Sequence, residues 1–334
     1  MPSPRLDFHG DPALRTALAA GLDTPPSPRA AQLTQRLVQA FGPSTVAIIH
    51  YGSHAQRSDA RPESAHDFFV IVERYAEAYR SLARTVGTRL NPRTAAWLNH
   101  VLPPNVISVT DPGVTPVLQA KCAVLSLSHF QRACSARAED HFVQGRMFQQ
   151  VQLVWTRDAE CRRAVVDAVV EARARTFGWG RAYLPREFDV DTYCRVLLET
   201  SFAAEIRPEG RARIDALLTA QAEVVVSIYS CLLQCLADKR IVASRGKVYT
   251  DLHPPGAWSK LRAGMYFRRS KLRATARWLK YVALYDDWLD YIVHKVARRS
   301  GVSVELTARE RRWPLIFLWP KVIRFLRTRP QRRS

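Results

Sequence analysis

One stretch of the sequence limits the fold more than any other. Val46-Ala47-Ile48-Ile49-His50-Tyr51 is a short apolar run that ends on Gly52-Ser53. A polar segment follows from His54 to His66, and Asp67-Phe68-Phe69-Val70-Ile71-Val72 is a second apolar, β-branched and aromatic run. Runs of this length and composition, bounded by turn residues, read as buried strands. Glycine at the end of such a strand lets backbone N–H groups come close to an anion, and the serine hydroxyl adds a donor. Asp67 opens the second strand, so pairing of the two strands sets its carboxylate beside the Gly-Ser turn. Gly-Ser alone is a common turn, and Asp67 alone reads as a strand cap. The information lies in the order strand, Gly-Ser, loop, Asp, strand.

That order suits nucleotidyl transfer. The reaction needs backbone donors for a triphosphate, carboxylate for divalent metal, and cations for the leaving pyrophosphate. The unit resembles the signature of polymerase-β-type nucleotidyltransferases. Their usual second acid, two residues on and on the same strand face, is replaced here by Phe69. The chain is similar, over roughly residues 46 to 210, to the mitochondrial-type phosphatidate cytidylyltransferases, the translocator assembly and maintenance proteins and their bacterial relatives. The matching residues are Tyr51-Gly52-Ser53, then Asp67-Phe68 with an apolar residue in place of the second acid. Lys121, Val124 and Ser126 match a Lys-x-x-Val-x-Ser strand, and Phe142, Gly145 and Arg146 match an aromatic-x-x-Gly-Arg turn. Ser201, Phe202, Ala203, Ala204, Glu205, Ile206 and Arg207 match a later segment. Each match is weak alone; five in order weigh more.

The resemblance implies an α+β fold, with a polymerase-β-like nucleotidyltransferase domain and a helical, basic C-terminal domain. It implies CTP and phosphatidate as substrates and Mg²⁺ as cofactor. Asp67 and Glu205 would hold the metal, with Asp67, Lys121 and Glu205 catalytic. Tyr51, Gly52, Ser53, Lys121 and Ser126 would bind nucleotide, and Arg146 and Arg207 phosphate. Read without the resemblance, Lys121 is a snorkelling strand-edge lysine, and Glu205 and Arg207 form an exposed helix end. His50 and His66 flank the site and read as packing or solvent-facing residues.

Elsewhere the spacing predicts helices over 31–41, 75–89, 158–175, 191–204, 211–236 and 278–292, and a strand over 117–127. The proline-rich stretch 103–116 reads as loop or edge strand. The expected organisation is a flexible arm over 1–28, the nucleotidyltransferase domain over 29–180, a helical domain over 181–300 and a basic tail over 301–334.

Charge narrows the partners. The net charge is +20, and from Asp238 to Ser334 there are 24 Lys/Arg against 7 Asp/Glu, so +17 of it lies in the last 97 residues. Such a surplus calls for a polyanion. No zinc-finger, RNA-recognition or helix-turn-helix signature accompanies it, so the expected polyanion is an anionic membrane and not nucleic acid. Trp313 to Pro320 is apolar between Arg311-Arg312 and Lys321, long enough to dip into an interface. No window of ~18 uninterrupted apolar residues predicts a bilayer-spanning helix. The six cysteines include no CxxC pair and read as buried apolar residues in a reducing cytoplasm. The expected location is cytoplasmic, peripheral on the inner face of the membrane.

Overall fold

The computed structural model describes residues 11–56, 64–87, 90–111, 113, 117–205, 210–284 and 307. In chain order the elements are α1 (Pro12–Leu18), α2 (Pro28–Phe41), β1 (Thr45–Tyr51), β2 (His66–Val72), α3 (Tyr75–Val86), α4 (Pro92–Val101) and β3 (Asn105–Asp111). Next come β4 (Leu118–Ser126), α5 (Leu127–Cys134), α6 (Gln144–Met147), β5 (Gln152–Thr156), α7 (Ala159–Ala174) and α8 (Thr176–Gly180). The chain continues through β6 (Glu187–Phe188), α9 (Val190–Ala203), α10 (Arg211–Asp238), β7 (Val242–Arg245), β8 (Val248–Asp251) and α11 (Ala257–Leu284). The fold is mixed α and β, as expected.

Five strands form one mixed sheet in the order β3-β4-β2-β1-β5. β1 runs antiparallel to β2 and β5, β2 runs parallel to β4, and β3 closes the edge antiparallel to β4. β2 is central, which explains its unbroken apolar run: both of its faces are covered. Ala47, Ile49, Phe69, Ile71, Ala123 and Leu125 enter one core with residues of α5, α7, α9 and α10. Ile48, Phe68, Val70, Cys122 and Val124 are buried on the opposite face, where α2 lies across β1, β2 and β4. A second, three-stranded sheet has the order β6-β8-β7.

Three expectations change. Residues 12–18 are not a loose arm: Asp11 caps α1 by accepting from Leu14 N, and Leu14, Leu18 and Leu22 are buried in the core. No compact unit ends near residue 180; residues 1–278 form one unit and 279–334 another. The segment 12–22 hid its core contacts because it sits between proline- and glycine-containing stretches, and three leucines suffice to anchor it. Finally, α10 is long and apolar enough to cross a membrane by length and composition. One side of it, including Ile214, Leu217, Val225, Ile228, Leu232 and Leu233, is buried in the protein core. The expected membrane-contacting tail, apart from Thr307, and the helix beyond Leu284 lie outside the described residues.

Candidate functional site

The Gly-Ser turn and the aspartate do meet. Tyr51 at the end of β1 is the register partner of Asp67 at the start of β2, and Asp67 is the register partner of Lys121 on β4. Cross-strand partners share a sheet face, so phenol, carboxylate and ammonium stand side by side. Gly52 follows with φ +80°, a conformation that favours glycine. A Cβ on Gly52 would lie 2.9 Å from Asp67 Oδ2. The turn closes through Gln56 N donating to Gly52 O at 3.0 Å.

Two later segments cover this strand end. Arg146 of α6 lies over the Phe142 ring at 4.0 Å and the Tyr51 ring at 5.8 Å. Its guanidinium donates to Phe142 O and pairs with Glu205 Oε1 at 2.8 Å. Gly145 explains how α6 gets so close to α9: a Cβ there would meet His141 Cδ2 at 3.0 Å and Ser201 Cβ at 3.4 Å. Ser201 in turn is bonded to His141 Nε2 at 2.9 Å. The aromatic-x-x-Gly-Arg turn and the Ser201 to Glu205 segment therefore dock against each other.

The charges of the cluster act on one another. Burial pushes the Asp67 carboxyl above the ordinary carboxylate range; Lys121 and Arg146 oppose the shift and Glu205 adds to it. Burial, reinforced by Asp67, also raises the Tyr51 phenol, so this tyrosine stays neutral. Burial works against the charged form of Arg146, but Glu205, Tyr51 and Asp67 outweigh it and its pKa rises. A buried carboxylate with its charge incompletely offset is the kind of group a divalent cation relieves. Asp67 and Glu205 are the two carboxylates whose charges act on Arg146; Mg²⁺ is an ion that takes one or two carboxylates and fills its remaining positions with substrate phosphates and water. Glu205 reaches Arg146 at 2.8 Å, so a metal would compete for its oxygens. Among the described residues no group of three or more His, Cys, Asp or Glu could hold a metal.

Other expected residues fall elsewhere. Ser126 is at the opposite end of β4 from Lys121, paired with Val72. Its hydroxyl caps α5 by accepting from His129 N at 3.3 Å, so the structure does not bring it to Asp67. Phe69 is buried and stacks on Tyr51 with ring centroids 4.5 Å apart; it shapes the floor and offers no ligand. Ser53 lies in the described turn, and Arg207 lies outside the described residues. His50 and His66 are buried and bonded to each other at 3.2 Å, with Gln152 Oε1 2.9 Å from His50 Nδ1. Burial lowers His50 to about 4 and His66 to about 3, so both are neutral packing residues.

The sequence reading missed part of the site's support. Arg277 of α11 reaches the Phe142 ring at 5.1 Å and pairs with Asp140. Arg273, one turn earlier, binds Asp140 at 2.9 Å and Glu139 at 2.9 Å. The available signal was Asp140 just ahead of the aromatic-x-x-Gly-Arg turn, facing two arginines at i and i+4 on one helix side. Compared with family models and with curated proteins, the chain matches none.

Proposed function

We propose that the protein transfers a cytidylyl group from CTP to phosphatidate, releasing pyrophosphate and forming CDP-diacylglycerol at the surface of an anionic membrane. The observation that carries this reading is the Asp67 carboxylate packed against Gly52, with the charges of Lys121 and Arg146 opposing the effect of its burial. These groups come from four separated segments of the sequence. The mixed sheet is compatible with a polymerase-β-like nucleotidyltransferase domain.

In the reaction a phosphate oxygen of the acceptor attacks the α-phosphorus of CTP, and the α–β phosphoanhydride bond breaks as pyrophosphate leaves. Bound Mg²⁺, held by Asp67 and Glu205, would neutralise phosphate charge. Gly52 gives the triphosphate access to the main chain, and Ser53 adds a hydroxyl donor. Lys121 and Arg146 offset the charge that grows on the leaving group. The acceptor is already anionic, so no strong general base is needed. Catalysis rests on positioning and charge.

The test is direct: purified full-length protein with CTP, phosphatidate, Mg²⁺ and detergent yields CDP-diacylglycerol and pyrophosphate. Absence of product under these conditions defeats the proposal. A second reading, a binding protein that kept the fold without turnover, is favoured by Phe69 and by the Arg146–Glu205 pair at 2.8 Å. Nucleotide-dependent thermal stabilisation without product formation would select it.

A further inference from the structure

The short helix α6 has a second side. Arg146 faces Tyr51 and Glu205, whereas Gln144, two residues and roughly 200° around the helix, faces away from them. Gln144 donates to Ser135 O at 3.1 Å and lines a cavity of about 220 Å³ bounded by the turn after α5, by α8 and by α11. Its ring wall is Trp179, Tyr266 and Phe267, and it also takes in Arg175 and Arg262. His141 sits against these rings, 4.5 Å from Trp179 and 4.9 Å from Phe267 between centroids.

Three polar atoms in this cluster are buried without a hydrogen-bond partner: Trp179 Nε1, Tyr266 Oη and His141 Nδ1. Such atoms are costly to bury, and folded proteins rarely leave them unmatched. Two of the three belong to rings that line the cavity, Trp179 and Tyr266, with His141 packed against both, so a polar group entering the cavity would find them unmatched. The nearby charge gives its sign. Arg181 at the cavity is occupied by Asp251 at 2.7 Å; Arg175 feels the charge of Glu171, one turn before it on the chain, and Arg262 is exposed at the rim, so the cavity carries a surplus of positive charge. Indole N–H, phenol O–H and guanidinium are all donors, the set that recognises phosphate oxygens.

The approach to the cavity is apolar. Trp258, Leu261 and Met265 are exposed on α11, spaced three and four residues apart on one helix side. Ser259, Arg262 and Tyr266, each one residue further on, line the cavity. An anion carried on an apolar body would meet both surfaces together.

We propose that this cavity is a second anion site, separate from the Asp67 centre, and that it binds the phosphomonoester head of an anionic amphiphile. Arg175 and Arg262 pair with the phosphate oxygens; Trp179 and Tyr266 donate to them. The inference does not depend on nucleotidyl transfer.

The test follows the indole N–H signal of Trp179 by NMR in the full-length protein without nucleotide, identified by its loss in Trp179→Phe. Dihexanoyl phosphatidate, kept below its micelle concentration, should shift this signal saturably. Dihexanoyl phosphatidylcholine should not, and inorganic phosphate should act only at higher concentration. Arg175→Gln should weaken the phosphatidate affinity about tenfold or more, the worth of a charge-assisted contact. Arg262→Gln, an exposed substitution that cannot unfold the core, should act in the same direction. Asp67→Asn should leave the binding intact, which separates this site from the proposed reaction centre. Inorganic phosphate binding as tightly as the amphiphile would overturn the lipid-borne source. A Trp179 signal unmoved by every probe, or undiminished affinity in both arginine variants, would overturn the site.

Discussion

Gly52→Ala is the sharpest perturbation of the proposed centre, because the structure supplies its own reference. Gly52 has φ +80°, and Gly87, at the C-terminus of α3, has φ +66°. Placing a side chain in this region costs roughly 1–2 kcal/mol at either position. At Gly87 nothing lies within 4 Å of the added Cβ, so Gly87→Ala measures that backbone cost alone. At Gly52 the Cβ would meet Asp67 Oδ2 at 2.9 Å, Cβ at 3.5 Å and Cγ at 3.6 Å. The carboxylate must swing off its rotamer, adding about 0.5–1.5 kcal/mol. Urea midpoints at a common slope should therefore place Gly52→Ala below Gly87→Ala by that difference. In an Asp67→Gly background all three obstructing atoms are gone, so the extra cost should vanish, a coupling read by the double-mutant cycle. A carboxylate displaced by about 1 Å should also cost on the order of a hundredfold in turnover, whereas Gly87→Ala should turn over normally. Equal costs at the two glycines, no coupling to Asp67, or undiminished CDP-diacylglycerol formation by Gly52→Ala would refute the reasoning.

Asp67→Asn should abolish turnover yet raise the melting temperature at pH 7. Burial raises this carboxyl, so the stability it contributes is present when it is protonated and is lost as pH rises through its folded value. The advantage of the Asn variant should shrink toward acid pH, and an Asn variant that melts lower at pH 7 counts against the burial argument. Glu205→Gln should lower the melting temperature, because it leaves the mostly buried Arg146 without its carboxylate partner, and should lower turnover by orders of magnitude in the protein that remains folded. Near-normal turnover would leave Asp67 without a second carboxylate. His50, His66 and His141, held by burial near 4, 3 and 3, are neutral in the fold. Their stabilising share is complete above an unfolded value of about 6.5 and falls as pH drops toward 4, by up to about 1.4 kcal/mol per pH unit for each histidine. A flat urea midpoint between pH 7 and pH 5 would reject it. The full chain should co-sediment with anionic vesicles in a salt-sensitive manner and poorly with neutral ones; truncation before Thr307 should reduce this markedly, and equal sedimentation of the truncated chain moves the membrane contact elsewhere.

The sequence was most legible where one segment carries its own explanation. Val46 to Tyr51 and Asp67 to Val72 read as strands because both are buried on two faces, and their pairing follows from being consecutive. The β2–β4 register, which brings Lys121 to Asp67, is a parallel pairing across two intervening helices and an edge strand; composition says nothing of it. Ser126 misled for the same reason. It lies five residues from Lys121 on one strand, about 16 Å away at the usual rise, and its serine chemistry is spent on capping α5. β5, with only Gln152 to Thr156, is too short to show a period. The role of α11 was hidden by its charge: a helix rich in lysine and arginine reads as solvated, and only the fold reveals that Arg273 and Arg277 meet Asp140.

Arg146, one of the two cations whose charge acts on Asp67, is held in place by parts of the chain that carry no site motif. α6 spans only Gln144–Met147, too short to be stable as a helix by itself. Arg173, fully buried on α7, fixes it by donating to Met147 O at 2.9 Å and Gln149 O at 3.1 Å. The same guanidinium donates to Leu18 O at 2.7 Å and Ala20 O at 2.8 Å, tying the end of α1 to α6. Burial lowers Arg173 only to about 10, so it stays charged at neutral pH, with four carbonyl oxygens sharing the charge. Tyr229 of α10 donates to Phe148 O at 2.8 Å, and Asp140 at the other end of the segment is locked by Arg273 and Arg277. Residues 140–149 are therefore clamped from α7, α10 and α11, while Gly145 lets α9 close over them with Glu205 just beyond its end. The helices after residue 180 set where Arg146 stands relative to Asp67. Removing them as a separate domain would dismantle the centre, which is why no compact boundary falls there.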